Sequence, residues 1–250
     1  QMAVAKSHLV KGILNMKHIG IVDITTVGAC LCANEIVAQA AEQDSSGKHP
    51  EFTMHAFSYD QYKNLMVRKD WDNLAKKICE SIKLLQNAGA DFIIIPSNSP
   101  HFSISQIIEN SQLHVVNLIE VVVDECSRKG YSKVLVLGTK LTMQGGLYKQ
   151  PLQSKNILSA IPNDEMCDKI EHLIRNEIIP SKINSSTVQN IQEYIQNYDC
   201  DAVILGCTEL PVVYNKENLG KDVIDTTRLL AHYALRFSKG ELVSNDLSNN

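Results

Sequence analysis

The triplet Cys207-Thr208-Glu209 closes the β-branched run Asp201-Ala-Val-Ile-Leu-Gly206. A thiol at the end of a strand, beside the first amides of the next element, is suited to proton transfer or nucleophilic attack. Those amides favour the thiolate and bring its pKa from about 8.5 toward neutrality. Of the seven cysteines only Cys207 occupies such a place. Cys79, Cys126 and Cys167 fall on apolar helical stripes, Cys32 lies just before Ile36, and Cys200 precedes a strand. Those five read as small buried hydrophobes, which is also the alternative reading of Cys207. Cys30 and Cys32 have no second Cys or His pair at zinc spacing, and the eight histidines form no HExxH, so no metal site is expected.

The same strand end occurs twice. Asp91-Phe-Ile-Ile-Ile-Pro-Ser-Asn-Ser99 overlies Asp201-Ala-Val-Ile-Leu-Gly-Cys-Thr-Glu209, each behind an amphipathic helix. Ser97 falls on Cys207, so a pseudo-symmetric cleft presents a hydroxyl from one side and a thiol from the other, an arrangement for chemistry at a single carbon. Asn98, Ser99 and Thr208 supply donors that cap the following helices, hold a carboxylate, or do both. A second overlay lays the strand ending near Asp23 over the one ending at Gly138-Thr139.

The elements that must carry these tips are legible from period. Strands are expected at 18–24, 52–58, 91–96, 113–117, 132–138, 157–161 and 201–206. Between them Leu74, Ile78, Ile82 and Leu85, then Ile119, Val122, Val123 and Cys126, then Val188, Ile191 and Ile195 recur at helical spacing. Strands alternating with helices predict an α/β fold of two pseudo-symmetric lobes, each a mainly parallel sheet flanked by helices. Ligands of open α/β sheets bind beyond the carboxyl ends of the strands, which puts the site in the inter-lobe cleft. Residues 16–118 plus 223–240 are assigned to lobe 1 and 119–222 to lobe 2. Residues 1–15 read as an extension or expression remnant without signal-peptide character, and 241–250 as a tail.

Composition narrows the partners. The chain has 250 residues, 44% hydrophobic and 21% charged, with a net charge of -4. These values exclude disordered and coiled-coil classes and leave no basic excess for nucleic acid. No apolar run approaches the roughly 20 residues of a membrane span. An odd number of dispersed cysteines points to a reducing, cytoplasmic setting. Gly138-Thr139-Lys-Leu-Thr142 lacks the order of a phosphate loop, no GxGxxG follows the first strand, and Asp225-Thr226-Thr227 reads as a helix cap. Lone Trp71 opens a helix as a packing anchor or an interface residue.

Taken together, these blocks resemble the aspartate/glutamate racemase family over nearly the whole chain. The resemblance rests on Ala88-Gly-Ala-Asp-Phe92 leading into Pro96-Ser-Asn-Ser-Pro-His101, on Leu137-Gly-Thr-Lys-Leu-Thr-Met143, on Val203-Ile-Leu-Gly-Cys-Thr-Glu-Leu-Pro211 and on Asp225-Thr-Thr. It implies a cofactor-independent racemase and a homodimer. Cys207 matches the second of two catalytic cysteines, Asn98 and Thr208 match residues that hold the α-carboxylate, and Thr139 and Thr142 match substrate-pocket positions. Ser99 and Glu209 join them as substrate-binding positions. Two departures stand out: Ser97 replaces the first catalytic cysteine, by nature or by engineering, and Asp23-Ile-Thr-Thr-Val-Gly28 replaces a glycine-rich turn.

An unassisted serine is a weak base, with only His101 close in sequence, and members with a hydroxyl here are expected to prefer the L-enantiomer. The reading is therefore a racemase of aspartate or glutamate in which Cys207 takes the α-proton of the L-form and Ser97 serves the opposite face. The alternatives are a single-cysteine decarboxylase of malonate-type substrates, a disabled racemase, or an amino-acid-binding protein. Lys63, Arg68, Lys140, Lys149 and Lys182 are the candidates for reading a side-chain carboxylate.

Overall fold

The computed structural model describes residues 16–242, so the assignments for 1–15 and 243–250 lie outside the described residues. Among the described residues eight strands form two four-stranded sheets, ordered β2-β1-β3-β4 and β6-β5-β7-β8, and every pairing is parallel. The first sheet comprises β1 (Ile19–Asp23), β2 (Phe52–Ala56), β3 (Phe92–Ile94) and β4 (His114–Val115). The second comprises β5 (Lys133–Leu137), β6 (Leu158–Ala160), β7 (Ala202–Leu205) and β8 (Asp222–Asp225). The orders are the same once β5 to β8 are laid on β1 to β4, which is the internal repeat expressed as topology. Two similar α/β halves are present, as expected.

Successive side chains on a strand point to opposite faces, and the central strands β1, β3, β5 and β7 are buried on both. Ile19, Ile21, Phe92 and Ile94 from the first sheet share one core with Val134, Val136, Ala202 and Ile204 from the second. Helices Thr26–Gln43, Leu118–Arg128 and Thr226–Ser238 lie in that common layer. The alternate residues face outward. Val22, Ile93 and Ile95 pack under helix Trp71–Asn87, and Leu135, Leu137, Val203 and Leu205 pack under helices Asp164–His172 and Ser185–Asn197. Leu74, Ile78, Ile82 and Leu85 are all buried, as their spacing requires. The halves are thus joined by an uninterrupted apolar layer.

β8 is the strand that periodicity missed. Its two apolar residues, Val223 and Ile224, are flanked by Asp222 and Asp225, too short a run to signal a strand. Pairing of Ala202 with Asp222 through Leu205 with Asp225 supplies what local sequence lacks. The lobe boundary expected at residue 223 falls inside this strand, so residues 223–225 go with the second sheet and only the helix that follows returns to the shared layer. Asp225 does cap that helix, its Oδ1 accepting from the amides of Thr227 and Arg228. Trp71 stacks on Phe102 with ring centroids 4.9 Å apart, a packing role within the chain.

Candidate active site

A cleft of about 530 Å³ opens where the carboxyl ends of β3 and β7 meet. Ser97, Asn98 and Ser99 reach it from the first sheet, and Cys207, Thr208 and Glu209 from the second. Positions 91–100 and 201–210 show the same succession of exposed, buried and partly buried residues, ending in both halves in a 3₁₀ turn, Ser99–Ser103 and Leu210–Val212. Thr139 and Thr142 line the cleft as well, so all eight residues singled out in the sequence converge on one space. Thr139 Oγ1 caps helix Lys140–Gln144 and lies 3.2 Å from Thr142 Oγ1.

Close approach of the strands sets the geometry. Gly206 N donates to Leu137 O at 2.8 Å, and a Cβ on Gly206 would stand 2.9 Å from that carbonyl and 3.1 Å from Thr142 Cγ2. A side chain there would force β5 and β7 apart directly before Cys207. Gly28 plays the matching part on the other side: a Cβ would meet Thr208 Cγ2 at 2.7 Å, so helix Thr26–Gln43 can seat against Thr208 only without one.

The thiol differs from its expected state. Cys207 Sγ donates to Glu209 Oε2 at 2.8 Å, and Thr208 Oγ1 donates to the same oxygen at 2.9 Å. Burial, then the charge of Glu209, raises the Cys207 pKa well above its ordinary value, so the group rests as a thiol. The expectation of a thiolate favoured by helix-start amides fails. The element that follows is a three-residue turn with little dipole, and the carboxylate beside the sulfur opposes a second negative charge.

His101 is not a base for Ser97. Its Nδ1 donates to Ser97 O at 2.8 Å and its Nε2 accepts from Leu118 N at 3.1 Å, which uses both nitrogens and fixes the tautomer. Burial lowers its pKa to about 4, so the ring is neutral. Asn98 is 3% exposed. Its Nδ2 donates to Thr226 Oγ1 at 3.2 Å, and its Oδ1 accepts from the Tyr148 hydroxyl.

Among the cations named from sequence, Lys63 and Lys140 line the cleft, and Arg68, Lys149 and Lys182 are not among its lining residues. Lys140 Nζ pairs with Asp168, and Lys63 has no ion pair among the described residues. Sequence reasoning missed Arg175, which lines the cleft in ion pair with Glu171. The Glu171/Arg175 spacing of one helical turn was the available signal. It also missed Thr25, which opens helix Thr26–Gln43 as Thr139 opens its own helix and which the overlay of the first strand onto β5 could have found. Among the described residues no group of three or more His, Cys, Asp or Glu is arranged to hold a metal ion, and no helix is long and apolar enough to cross a membrane.

Two parallel half-sheets whose matching tips line a common cleft make up the architecture of the two-lobed α/β amino-acid racemases. An aspartate racemase homologue from Pyrococcus horikoshii OT3 superposes with a TM-score of 0.77 at 26% identity, covering 90% of this chain and 100% of that one. The aspartate racemase of Picrophilus torridus shares the fold at 22% identity with a TM-score of 0.73, over 92% of this chain and 97% of that one. The sequence pattern of the Asp/Glu/hydantoin racemase family matches residues 20–234, and the chain belongs to that family, which makes it an isomerase of the amino-acid racemase type. The broad specificity amino-acid racemase RacX of Bacillus subtilis (strain 168) is 26% identical over 164 residues, 65% of this chain and 71% of that protein. A glutamate racemase from a Nitratiruptor species is 26% identical over 152 residues, 58% of this chain and 57% of that enzyme.

Proposed function

We propose that the protein racemises an acidic amino acid, aspartate or glutamate, with Cys207 acting on the L-enantiomer and Ser97 serving the opposite face of the α-carbon. The observation that carries this reading is the pairing of Ser97 and Cys207 on equivalent strand tips of the two halves, lining a single cleft. Cationic side chains at Lys63, Lys140 and Arg175 support a substrate with a second carboxylate. They do so best at Lys63, whose charge has no ion-pair partner among the described residues.

The resting thiol is activated by the substrate. Binding brings an α-ammonium into a cleft where Glu209 is the anion nearest Cys207, and a cation at that distance offsets the repulsion that keeps the sulfur protonated. Glu209 then takes the Sγ proton along the hydrogen bond it already accepts. The Cα–H bond breaks as an S–H bond forms, and the electron pair delocalises onto the α-carboxylate, which Asn98 and Ser99 hold with their donors, joined by the Thr208 hydroxyl once protonation of Glu209 frees it. A proton delivered by the Ser97 hydroxyl, directly or through water, closes the D-enantiomer; solvent returns the serine proton as Glu209 releases to solvent the one it took from sulfur, which restores the resting thiol and carboxylate. Thr139 and Thr142 complete the pocket wall. The two lobes supply one acid/base group each, and the free state of all seven cysteines supports a reducing, cytoplasmic setting. The protein is taken to act as a homodimer, which light scattering measures directly.

Removal of the D-substrate proton by an unassisted serine is slow, because His101 is committed to the backbone. Exchange in the L-form therefore runs ahead of exchange in the D-form, while an equilibrium constant of one obliges a tenfold kcat asymmetry to be matched by a tenfold KM asymmetry, about 1.4 kcal/mol each. Proton NMR in deuterated buffer follows α-proton loss from both enantiomers of aspartate and glutamate. The expected result is exchange from an L-substrate that Cys207→Ser abolishes, with faster D-exchange in Ser97→Cys. Absence of exchange from all four, in the protein and in Ser97→Cys alike, refutes the assignment.

A further inference from the structure

We propose that Tyr148 is a positioning residue: its hydroxyl fixes the Asn98 amide so that Nδ2, and not Oδ1, meets the substrate α-carboxylate. The inference rests on the reading above, in which Asn98 holds that carboxylate.

Two sequence blocks otherwise left without a part in the chemistry converge on Asn98. Tyr148 follows the Gly145-Gly146 turn of the second half, and Thr226 belongs to Asp225-Thr226-Thr227 at the start of the last helix. The Tyr148 O–H donates to Asn98 Oδ1, Asn98 Nδ2 donates to Thr226 Oγ1 at 3.2 Å, and Thr226 Oγ1 donates to Leu205 O at 3.0 Å. All three groups are buried, Tyr148 to 1% exposure. Every donor in this chain points the same way, from Tyr148 toward the end of β7, two residues before Cys207. The polarity is forced. A flipped amide would leave the Tyr148 proton without an acceptor and set Asn98 Oδ1 against a Thr226 oxygen whose own proton is committed to Leu205. Leaving buried polar groups unmatched is costly. Burial raises the tyrosine pKa, so its hydroxyl stays a donor at every working pH.

An asparagine amide carries two Nδ2 protons, and the chain uses one. The other remains for the cleft that Asn98 lines, where a carboxylate requires a donor. Were the amide to flip, the cleft would be offered a carbonyl oxygen, which repels the substrate. Tyr148 thus acts through Asn98 and never touches the reacting atoms, while linking the Ser97 tip to the Cys207 tip.

The test is a double-mutant cycle on α-proton exchange of L-aspartate and L-glutamate with Tyr148→Phe, Asn98→Ala and the double variant, each checked by thermal melting. Tyr148→Phe is expected to raise KM about tenfold with a smaller change in kcat, and to add nothing once Asn98 is alanine. A merely structural tyrosine would lower the melting temperature and leave KM in place, or would add its full effect in the Asn98→Ala background, and either result overturns the inference. A second measurement needs no turnover. The Asn98 side-chain amide pair in ¹H–¹⁵N spectra, identified by its loss in Asn98→Ala, is expected as one sharp set in the protein and as a doubled or broadened set in Tyr148→Phe; an unchanged pair overturns the inference. If Asn98→Ala itself leaves KM unaltered, the carboxylate assignment falls and takes this inference with it. If Asn98→Ala is impaired and Tyr148→Phe is not, only the role of Tyr148 falls.

Discussion

Replacement of Gly28 by alanine separates the chemistry of the site from the stability of the fold. Gly28 sits in the first turn of helix Thr26–Gln43, where alanine in an isolated helix is better by up to about 1 kcal/mol. Here its Cβ would stand 2.7 Å from Thr208 Cγ2 and 3.1 Å from Thr208 Oγ1. Carbon contacts relax near 3.5–4.0 Å, so Thr208 must retreat by roughly 1 Å. It is buried and tied through Oγ1 to Glu209, and the strain of such overpacking is about 1–3 kcal/mol. The two effects nearly cancel. The net loss is about 0–2 kcal/mol, and at roughly 2–4 °C per kcal/mol for a chain of this size the melting temperature falls by no more than about 8 °C. Activity is affected far more. The oxygen that Thr208 would drag or release is the one that accepts the Cys207 proton, and a displacement near 1 Å at such a point costs on the order of 100-fold. Thermal melting and L-substrate exchange on the same preparation measure both. A Gly28→Ala protein that melts higher than the parent and exchanges at the parental rate would refute the reasoning, because it would show that the helix moves aside and Thr208 does not.

Further outcomes follow from the same geometry. His101 is buried neutral with a pKa lowered to about 4 from about 6.5, so its contribution to stability is full above pH 6.5 and is lost as pH falls toward 4. The loss totals on the order of 3 kcal/mol, and melting curves from pH 7 to pH 4 should show a steeper decline in the protein than in His101→Gln. Lys63→Ala is expected to raise KM for the acidic substrate several-fold with kcat nearly unchanged, read from initial rates, because the charge acts by attraction across the cleft and not at the α-carbon. Ile204 is fully buried in the layer shared by both sheets, and Ile204→Ala should cost about 2–5 kcal/mol in denaturant unfolding, with both halves melting together.

The strand tips were legible because their signal is local. A β-branched run followed by small polar residues marks a strand end whatever packs around it, and the repeat of 91–99 at 201–209 identified two tips as equivalent before any topology was known. β8 was not legible, since two apolar residues between aspartates form a strand only when β7 is beside them. Arg175 escaped for a similar reason: on its helix it reads as an ordinary solvated charge, and only the juxtaposition of the halves turns it into the cleft.

Protonation states were the part least open to sequence. The position of Cys207 at a strand end argued for a thiolate, but the direction of the Glu209 side chain decided for a thiol, and that direction follows from burial and from Thr208 sharing the same oxygen. Nearness of His101 to Ser97 in the chain likewise said nothing of the imidazole, whose two nitrogens the backbone of Ser97 and Leu118 consumes. Composition, period and repeat by themselves determined the α/β class, the twofold design and the two equivalent tips at 97–99 and 207–209, because each depends on spacing along the chain, whereas Thr139 and Thr142 came from the family resemblance. Tertiary structure alone decided which cations face the substrate space, how the Asn98 amide is held and where the protons reside, because these depend on burial and side-chain direction, which the packing of the two halves imposes even on neighbours such as Cys207 and Glu209.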